Sequence, residues 1–242
     1  MTIGLIGYGR FGKLVARFLS RHAHVLVYDR RKIRGGFPSA RIMTASLSVV
    51  ASQPVVLLAV PISHLESILH SIAPLVAQKA LVIDVCSVKV KPVQWMKGIL
   101  PTTTSILGAH PLFGPDTVSH TLRGHRVVLC PARIPSGMLA SITRRIRASG
   151  LNTEVMTPAA HDRMIAETLL LTQYIGRLVG HAGVRRWHRS TRTYESLRWL
   201  AEVAEHDSIA LFQDMFRFNP YARQLLHSLD QARLRVKKEL GR

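Results

Sequence analysis

A chain of 242 residues with 47% hydrophobic content suffices for one large domain, or for a nucleotide-binding domain plus a smaller partner, and no region is polar enough for extended disorder. No apolar run reaches the ~18 residues of a membrane span, and two cysteines, Cys86 and Cys130, make neither a disulfide framework nor a metal-ligand cluster, so a reducing cytoplasm without bound metal is expected. Thirty-three Lys and Arg against fourteen Asp and Glu give a formal charge of +19; the basic residues are scattered with no stacking aromatics beside them, so they read as an arginine-rich background that attracts anionic ligands, with nucleic-acid binding as the alternative.

The N-terminus, MTIGLIGYGRFG, has no basic stretch before its apolar run and reads as a buried strand, not a signal peptide. Residues 2–6, 24–28, 54–60 and 80–85 are short runs rich in Val, Ile and Leu, as parallel strands covered on both faces require. Helical lengths separate them, around 10–20, 62–73 and 89–99, which predicts a doubly wound parallel sheet. Runs at 105–109 and 126–130 extend the sheet, 135–148 reads as a helix, and 152–156 as a last strand. After Thr157-Pro158 glycines thin out, and Ile165, Leu169, Thr172, Ile175 and Val179 recur at helical spacing. Further helices are expected near 193–205, 207–217 and from Pro220, with a basic loop from His181 to Arg192. The expectation is therefore an α/β Rossmann domain over 1–152, followed by a smaller all-helical domain over 153–242 for substrate binding and dimerisation.

Gly7-Tyr8-Gly9-Arg10-Phe11-Gly12 follows the first strand and opens the first helix. Gly7 permits the tight turn, Gly9 lets the backbone approach a pyrophosphate, and Gly12 lets the helix pack on the strand. The pyrophosphate then lies on the positive end of the helix dipole, beside Arg10 and Phe11. Asp29 ends the second strand at the distance expected for a ribose ligand, which leans towards NAD; Arg30 and Arg31 follow at once and keep NADP open, because arginine holds a 2′-phosphate. Val60 and Pro61 line the crevice at the end of the fourth strand, although Pro61 is also a natural helix start. These features identify the cofactor domain of a nicotinamide-dinucleotide-dependent dehydrogenase.

Three further motifs are Asp84-Val85-Cys86-Ser87-Val88-Lys89, Gly108-Ala109-His110-Pro111-Leu112-Phe113-Gly114-Pro115-Asp116, and His161-Asp162-Arg163. With them the chain resembles the prephenate and arogenate dehydrogenases of tyrosine biosynthesis over nearly its full length. Its tail, Tyr194-Glu195-Ser196-Leu197 through Asp207-Ser208 to Phe218-Asn219-Pro220, resembles the plant-type arogenate branch. The resemblance implies oxidative decarboxylation of L-arogenate to L-tyrosine with hydride transfer to NAD or NADP. Prephenate dehydrogenase or dual-specificity cyclohexadienyl dehydrogenase activity is the alternative. It also implies a homodimer with the active site in a cleft between domains.

By the same resemblance, His110 is the catalytic base and Ser87 orients it beside the nicotinamide; the blander readings are a packed histidine and a helix N-cap. Lys89 either contacts substrate or begins a helix. Asp162 matches the acid associated with arogenate preference, or it serves the helix dipole. Gln173 stands where relatives carry a histidine, eleven residues after Asp162 and so on the same helical face, and Glu202 stands where prephenate-specific relatives carry an arginine. Arg123, Arg126 and Arg163 are candidates for the substrate carboxylates. Two further readings are a reductase of another small acid or imine, and a non-catalytic nucleotide-sensing or nucleic-acid-binding protein.

Overall fold

The strands of the first part of the chain build one sheet. In a computed structural model, which describes residues 1–118, 120–185, 187 and 189–241, the chain divides into two compact units, Met1–His161 and Asp162–Arg242. In the first, the order is β1 (Thr2–Ile6), α1 (Arg10–Leu19), β2 (His24–Tyr28), β3 (Ile42–Thr44), α2 (Leu47–Ala51), β4 (Val55–Leu58), α3 (Ile62–Ile72), β5 (Leu81–Asp84), α4 (Val90–Ile99), β6 (Ser105–Pro111), β7 (Arg126–Arg133), α5 (Ser136–Ala148) and β8 (Asn152–Val155). The strands lie in the order β3-β2-β1-β4-β5-β6-β7-β8. The chain reverses its direction of winding between β1 and β4, and such a switch point opens a crevice at the carboxyl ends of the strands.

Burial explains why these runs are strands. Leu5, Val25, Val27, Val56, Leu58 and Val82 are almost wholly enclosed, as expected for a sheet with helices on its faces. In α3, Ile62, Leu65, Leu69 and Ile72 fall on one stripe and are buried. Each such side chain contributes about 1.5–3 kcal/mol on burial. Every neighbouring pair is parallel except β6 and β7. That exception has a simple cause: the described residues of their connection hold no helix, and a chain that returns without a crossover runs antiparallel. β3 and α2 were not expected; at three and five residues they are too short to show a period.

The boundary read at 152 falls inside β8. Because β8 pairs with β7 throughout its length, it belongs to the first unit, and the units divide later, at 161/162. α6 (Pro158–Ile165) runs across that division and continues through a π-helical turn, Ala166–Leu170, into α7 (Leu171–His181). The second unit continues with α8 (Arg192–His206), α9 (Ile209–Phe218) and α10 (Ala222–Glu239). Thr191 and Ser208 cap α8 and α9 by accepting the amides of Tyr194 and Leu211. Ile165, Leu170, Met215 and Ala222 form its small core. The expected basic loop lies between α7 and α8; its Arg186 and His188 are outside the described residues.

Candidate active site

Gly7 has φ of +98°, and a Cβ there would lie 2.3 Å from the carbonyl oxygen of Ala59. A Cβ on Gly12 would lie 2.2 Å from the carbonyl oxygen of Gly7, so α1 packs on the turn only because position 12 is bare. Gly9 differs: no atom lies within 4 Å of its missing Cβ. The bare backbone there faces open space at the start of α1. That helix has no side-chain cap from its N-cap residue and no acid in its first turn, so its positive end suits an anion. These residues fit a dinucleotide pyrophosphate.

Asp29 closes the same turn. Its Oδ2 accepts the Tyr8 amide at 2.7 Å, and its Oδ1 accepts the Arg31 amide at 2.9 Å and Arg31 Nε at 3.4 Å. Burial alone would raise its pKa; the two amides and the Arg31 charge outweigh that and hold the carboxyl below its ordinary value. Arg30 and Arg31 are exposed beside it. Arg10 pairs with Asp116 at 2.5 Å, and Phe11 packs with Phe113, Leu122 and the buried Leu14, Phe18 and Val118. The segment after β6 is thereby fastened to α1. Val60 lies against Gly7, its Cγ1 3.2 Å from the position a Cβ would take there, while Pro61 occupies the N-cap of α3.

The second centre forms where β5 and β6 end. His110 is buried, and its Nδ1 lies 2.9 Å from Nε2 of His161, which is fully enclosed on α6. Its Nε2 has no hydrogen-bond partner among the described residues. Burial, and then its neighbours His161 and Lys89, hold the His110 imidazole well below its ordinary 6.5. At neutral pH the ring is therefore an uncharged base. Beneath it, the ammonium of the fully buried Lys89 pairs with Asp84 Oδ1 and donates to the Ala109 carbonyl at 2.8 Å. Burial pushes the Asp84 carboxyl up, against the opposing pull of Lys89 and the Cys86 amide.

Residues 39–151 match the family model for the prephenate dehydrogenase nucleotide-binding domain, and residues 178–242 match a TYRAAT1-like C-terminal domain. Arogenate dehydrogenase 2, chloroplastic, of Arabidopsis thaliana is 32% identical over 99% of this chain and 70% of its own length. The chain belongs to the prephenate and arogenate dehydrogenase family. It is accordingly an NAD(P)-dependent oxidoreductase. Arogenate dehydrogenase 1, chloroplastic, from the same plant is 30% identical over 99% of this chain, which spans 39% of that longer relative. The fold matches prephenate dehydrogenase from A. aeolicus, solved with hydroxyphenyl propionate and NAD+, with a TM-score of 0.77 at 20% identity over 99% of this chain and 90% of that one. Synechocystis arogenate dehydrogenase gives 0.69 at 20% identity, over 100% and 91%.

Within this family member, the residues singled out from the sequence divide into groups. Gly7, Gly9, Arg10, Phe11, Gly12, Asp29 and Arg30 gather around one turn. Ser87 is half-buried just beyond β5, but among the described residues no hydrogen bond joins it to His110. The orienting contact expected from Ser87 comes from His161 instead. Of the two readings of Lys89, the structure has the helix start: it stands at the N-cap of α4, wholly enclosed, with its ammonium engaged by Asp84 and Ala109 and not exposed to a ligand.

In the second unit, Asp162 is fully buried and its carbonyl accepts Asn219 Nδ2 at 2.8 Å. Gln173 is buried too, with Nε2 donating to Asp207 Oδ2 at 2.8 Å and Oε1 without a partner among the described residues. The shared face expected for Asp162 and Gln173 does not survive the π-helical turn between them: one inserted residue rotates the helix beyond it by about 100°. Arg163 lies over the Tyr221 ring at 5.2 Å, Arg123 and Arg126 are exposed, and Glu202 pairs with Arg198 on the surface of α8. His161 and Asp84 stand in the sequence motifs with no role legible there; their pairings are tertiary and leave no local sequence signal.

Proposed function

We propose that this chain is an arogenate dehydrogenase that converts L-arogenate to L-tyrosine by oxidative decarboxylation. The observation that carries the reading is the buried His110, oriented through Nδ1 and with Nε2 unengaged among the described residues, on a strand of the dinucleotide-binding sheet. The residues around Gly9 and Asp29 would hold NAD or NADP, and the nicotinamide supplies the hydride acceptor when bound. In the tautomer that serves a base, His110 donates Nδ1–H to His161 and presents the Nε2 lone pair. That lone pair accepts the ring hydroxyl proton as the hydride leaves the same carbon and a carbonyl forms. The C–C bond to the ring carboxylate then breaks and carbon dioxide departs. Its electron pair aromatises the ring, and the oxygen recovers its proton from His110. Ser87 is the second polar group assigned to this end of the sheet.

Asp162 is the acid assigned to the substrate ammonium, a group that arogenate has and prephenate lacks. It follows His161 directly, and both Arabidopsis relatives carry arogenate dehydrogenase names. Arg126 and Arg163 are assigned to the carboxylates, and the unpartnered Gln173 Oε1 remains available as an acceptor. No helix among the described residues is long and apolar enough to cross a membrane, and both cysteines are buried thiols outside any disulfide, which suits a reducing compartment such as cytoplasm. We further infer a homodimer through the helical unit, since Leu178, Trp199 and Ile209 are more than half exposed there. The test of the reaction is a two-by-two assay, arogenate or prephenate with NAD or NADP, repeated on Asp162→Asn. Arogenate turnover should exceed prephenate turnover, and the variant should lose about tenfold or more of that ratio, the scale of one buried charged contact. No turnover in any combination, or an unchanged ratio in the variant, would refute the respective assignment.

A further inference from the structure

Lys89 is an unusual residue to bury completely. An ammonium taken from water costs several kcal/mol, and a buried ion pair is often no more stabilising than apolar residues of the same volume. Here the pair is built into the strand that carries His110. Asp84, the last residue of β5, receives the ammonium on Oδ1, where it also accepts the Cys86 amide at 3.0 Å; its Oδ2 has no hydrogen-bond partner among the described residues. The lysine stem crosses β6 at Gly108, where a Cβ would lie 3.1 Å from Lys89 Cδ and 3.3 Å from Asp84 Oδ2. The bare position 108 thus leaves room for the stem, and the ammonium reaches the carbonyl of Ala109, the residue that precedes His110.

We propose that Lys89, anchored by Asp84, is a positioning residue for the reaction, fixing the backbone that carries His110. The inference rests on the reaction assigned to His110 under the proposed function. A carbonyl held by a charged donor makes a shorter and stronger bond than one left to water, so the end of β6 is pinned where the imidazole departs from it. Among the described residues, His161 on α6 and Lys89 ahead of α4 act on that imidazole, and Asp84 from β5 holds Lys89. β7 places the apolar Val128 opposite. Burial first, and then His161 and Lys89, oppose protonation of His110. Geometry and charge therefore act through one side chain that is wholly enclosed.

The test uses Lys89→Met and, because a lone buried Asp84 carboxylate endangers folding, the neutral pair Asp84→Asn/Lys89→Met. The His110 ring is followed by NMR titration in protein without substrate or cofactor, assigned by its loss in His110→Asn. Its titration should move to higher pH in both variants, further in the single one, where the Asp84 charge remains. With both ligands present, kcat should fall about 10- to 100-fold, the scale of a small misplacement of a catalytic group. NADH affinity, read by fluorescence, should stay within about twofold, since the dinucleotide turn is untouched. A titration unchanged in the folded double variant, or an unchanged kcat, would overturn the proposal. Absence of turnover in the unmodified enzyme would count against the reaction and not against Lys89, because the titration needs neither ligand.

Discussion

Two alanine substitutions three residues apart should have opposite consequences. At Gly12 an added Cβ meets the Gly7 carbonyl oxygen at 2.2 Å, about 1 Å inside the roughly 3.3–3.6 Å of even a close C···O contact. Backbone must move, and overpacking of this kind costs about 1–3 kcal/mol. Taking the upper end and subtracting the ~1 kcal/mol that alanine gains over glycine in a helix leaves a loss of ~2 kcal/mol. In a chain of this size that lowers Tm by roughly 4–8 °C. At Gly9 the added Cβ meets nothing, and the backbone angles, φ −72° and ψ −166°, suit any residue. Stability should stay within about 0.5 kcal/mol of the parent. What the methyl fills is the space over which a pyrophosphate must approach, so affinity for NADH or NADPH should fall at least about tenfold, or ~1.4 kcal/mol. Scanning calorimetry and fluorescence titration of the reduced dinucleotides measure both quantities. A Gly9→Ala protein that binds as tightly as the parent would refute the placement of the cofactor, and a Gly12→Ala protein of unchanged Tm would refute the packing argument.

His110 should set the acid limit of both activity and stability. Its folded pKa lies below the 6.5 of an unfolded histidine, so below that pH the unfolded chain binds more protons, and its stabilising effect is complete above pH 6.5 and declines as pH falls through the folded value. The rate profile of kcat/KM should therefore hold through pH 6.5 and fall only in more acid solution; a limb at or above 6.5 would contradict a ring held neutral by its surroundings. His110→Asn should lower kcat by about 10²–10⁴-fold at unchanged fold, checked by circular dichroism. Trp199→Asp, on the exposed apolar face of α8, should raise the dimer dissociation constant about 100-fold or more in sedimentation equilibrium, and a parent that sediments as a monomer would remove the dimer altogether.

Much of this protein is determined by order along the chain. The glycine turn, the strand before it and the acid at position 29 are local, because φ at Gly7, bare backbone at Gly9 and Val-Ile-Leu runs act within a few residues. Apolar runs covered on both faces announce a parallel sheet, and the helical spacing after Pro158 announces a different second unit. The motif histidine was legible in the same way, as a residue at the carboxyl end of a strand. What sequence order did not contain was direction and partnership. β6 and β7 run antiparallel, the described residues between them holding no crossover helix, and β8 joins the first unit because its edge is paired. One π-helical turn rotates Gln173 away from the face that a 3.6-residue period assigns to it.

The chemistry at His110 shows the same division more sharply. The sequence alone determined that a histidine, a serine and a lysine stand at the ends of two neighbouring strands. Only tertiary structure decided that the imidazole is oriented by His161, fifty-one residues away, and that Lys89 lies beneath it with Asp84. The reason is physical: a side chain's charge state and hydrogen-bond partner depend on what is buried beside it, and burial is a property of the assembled fold.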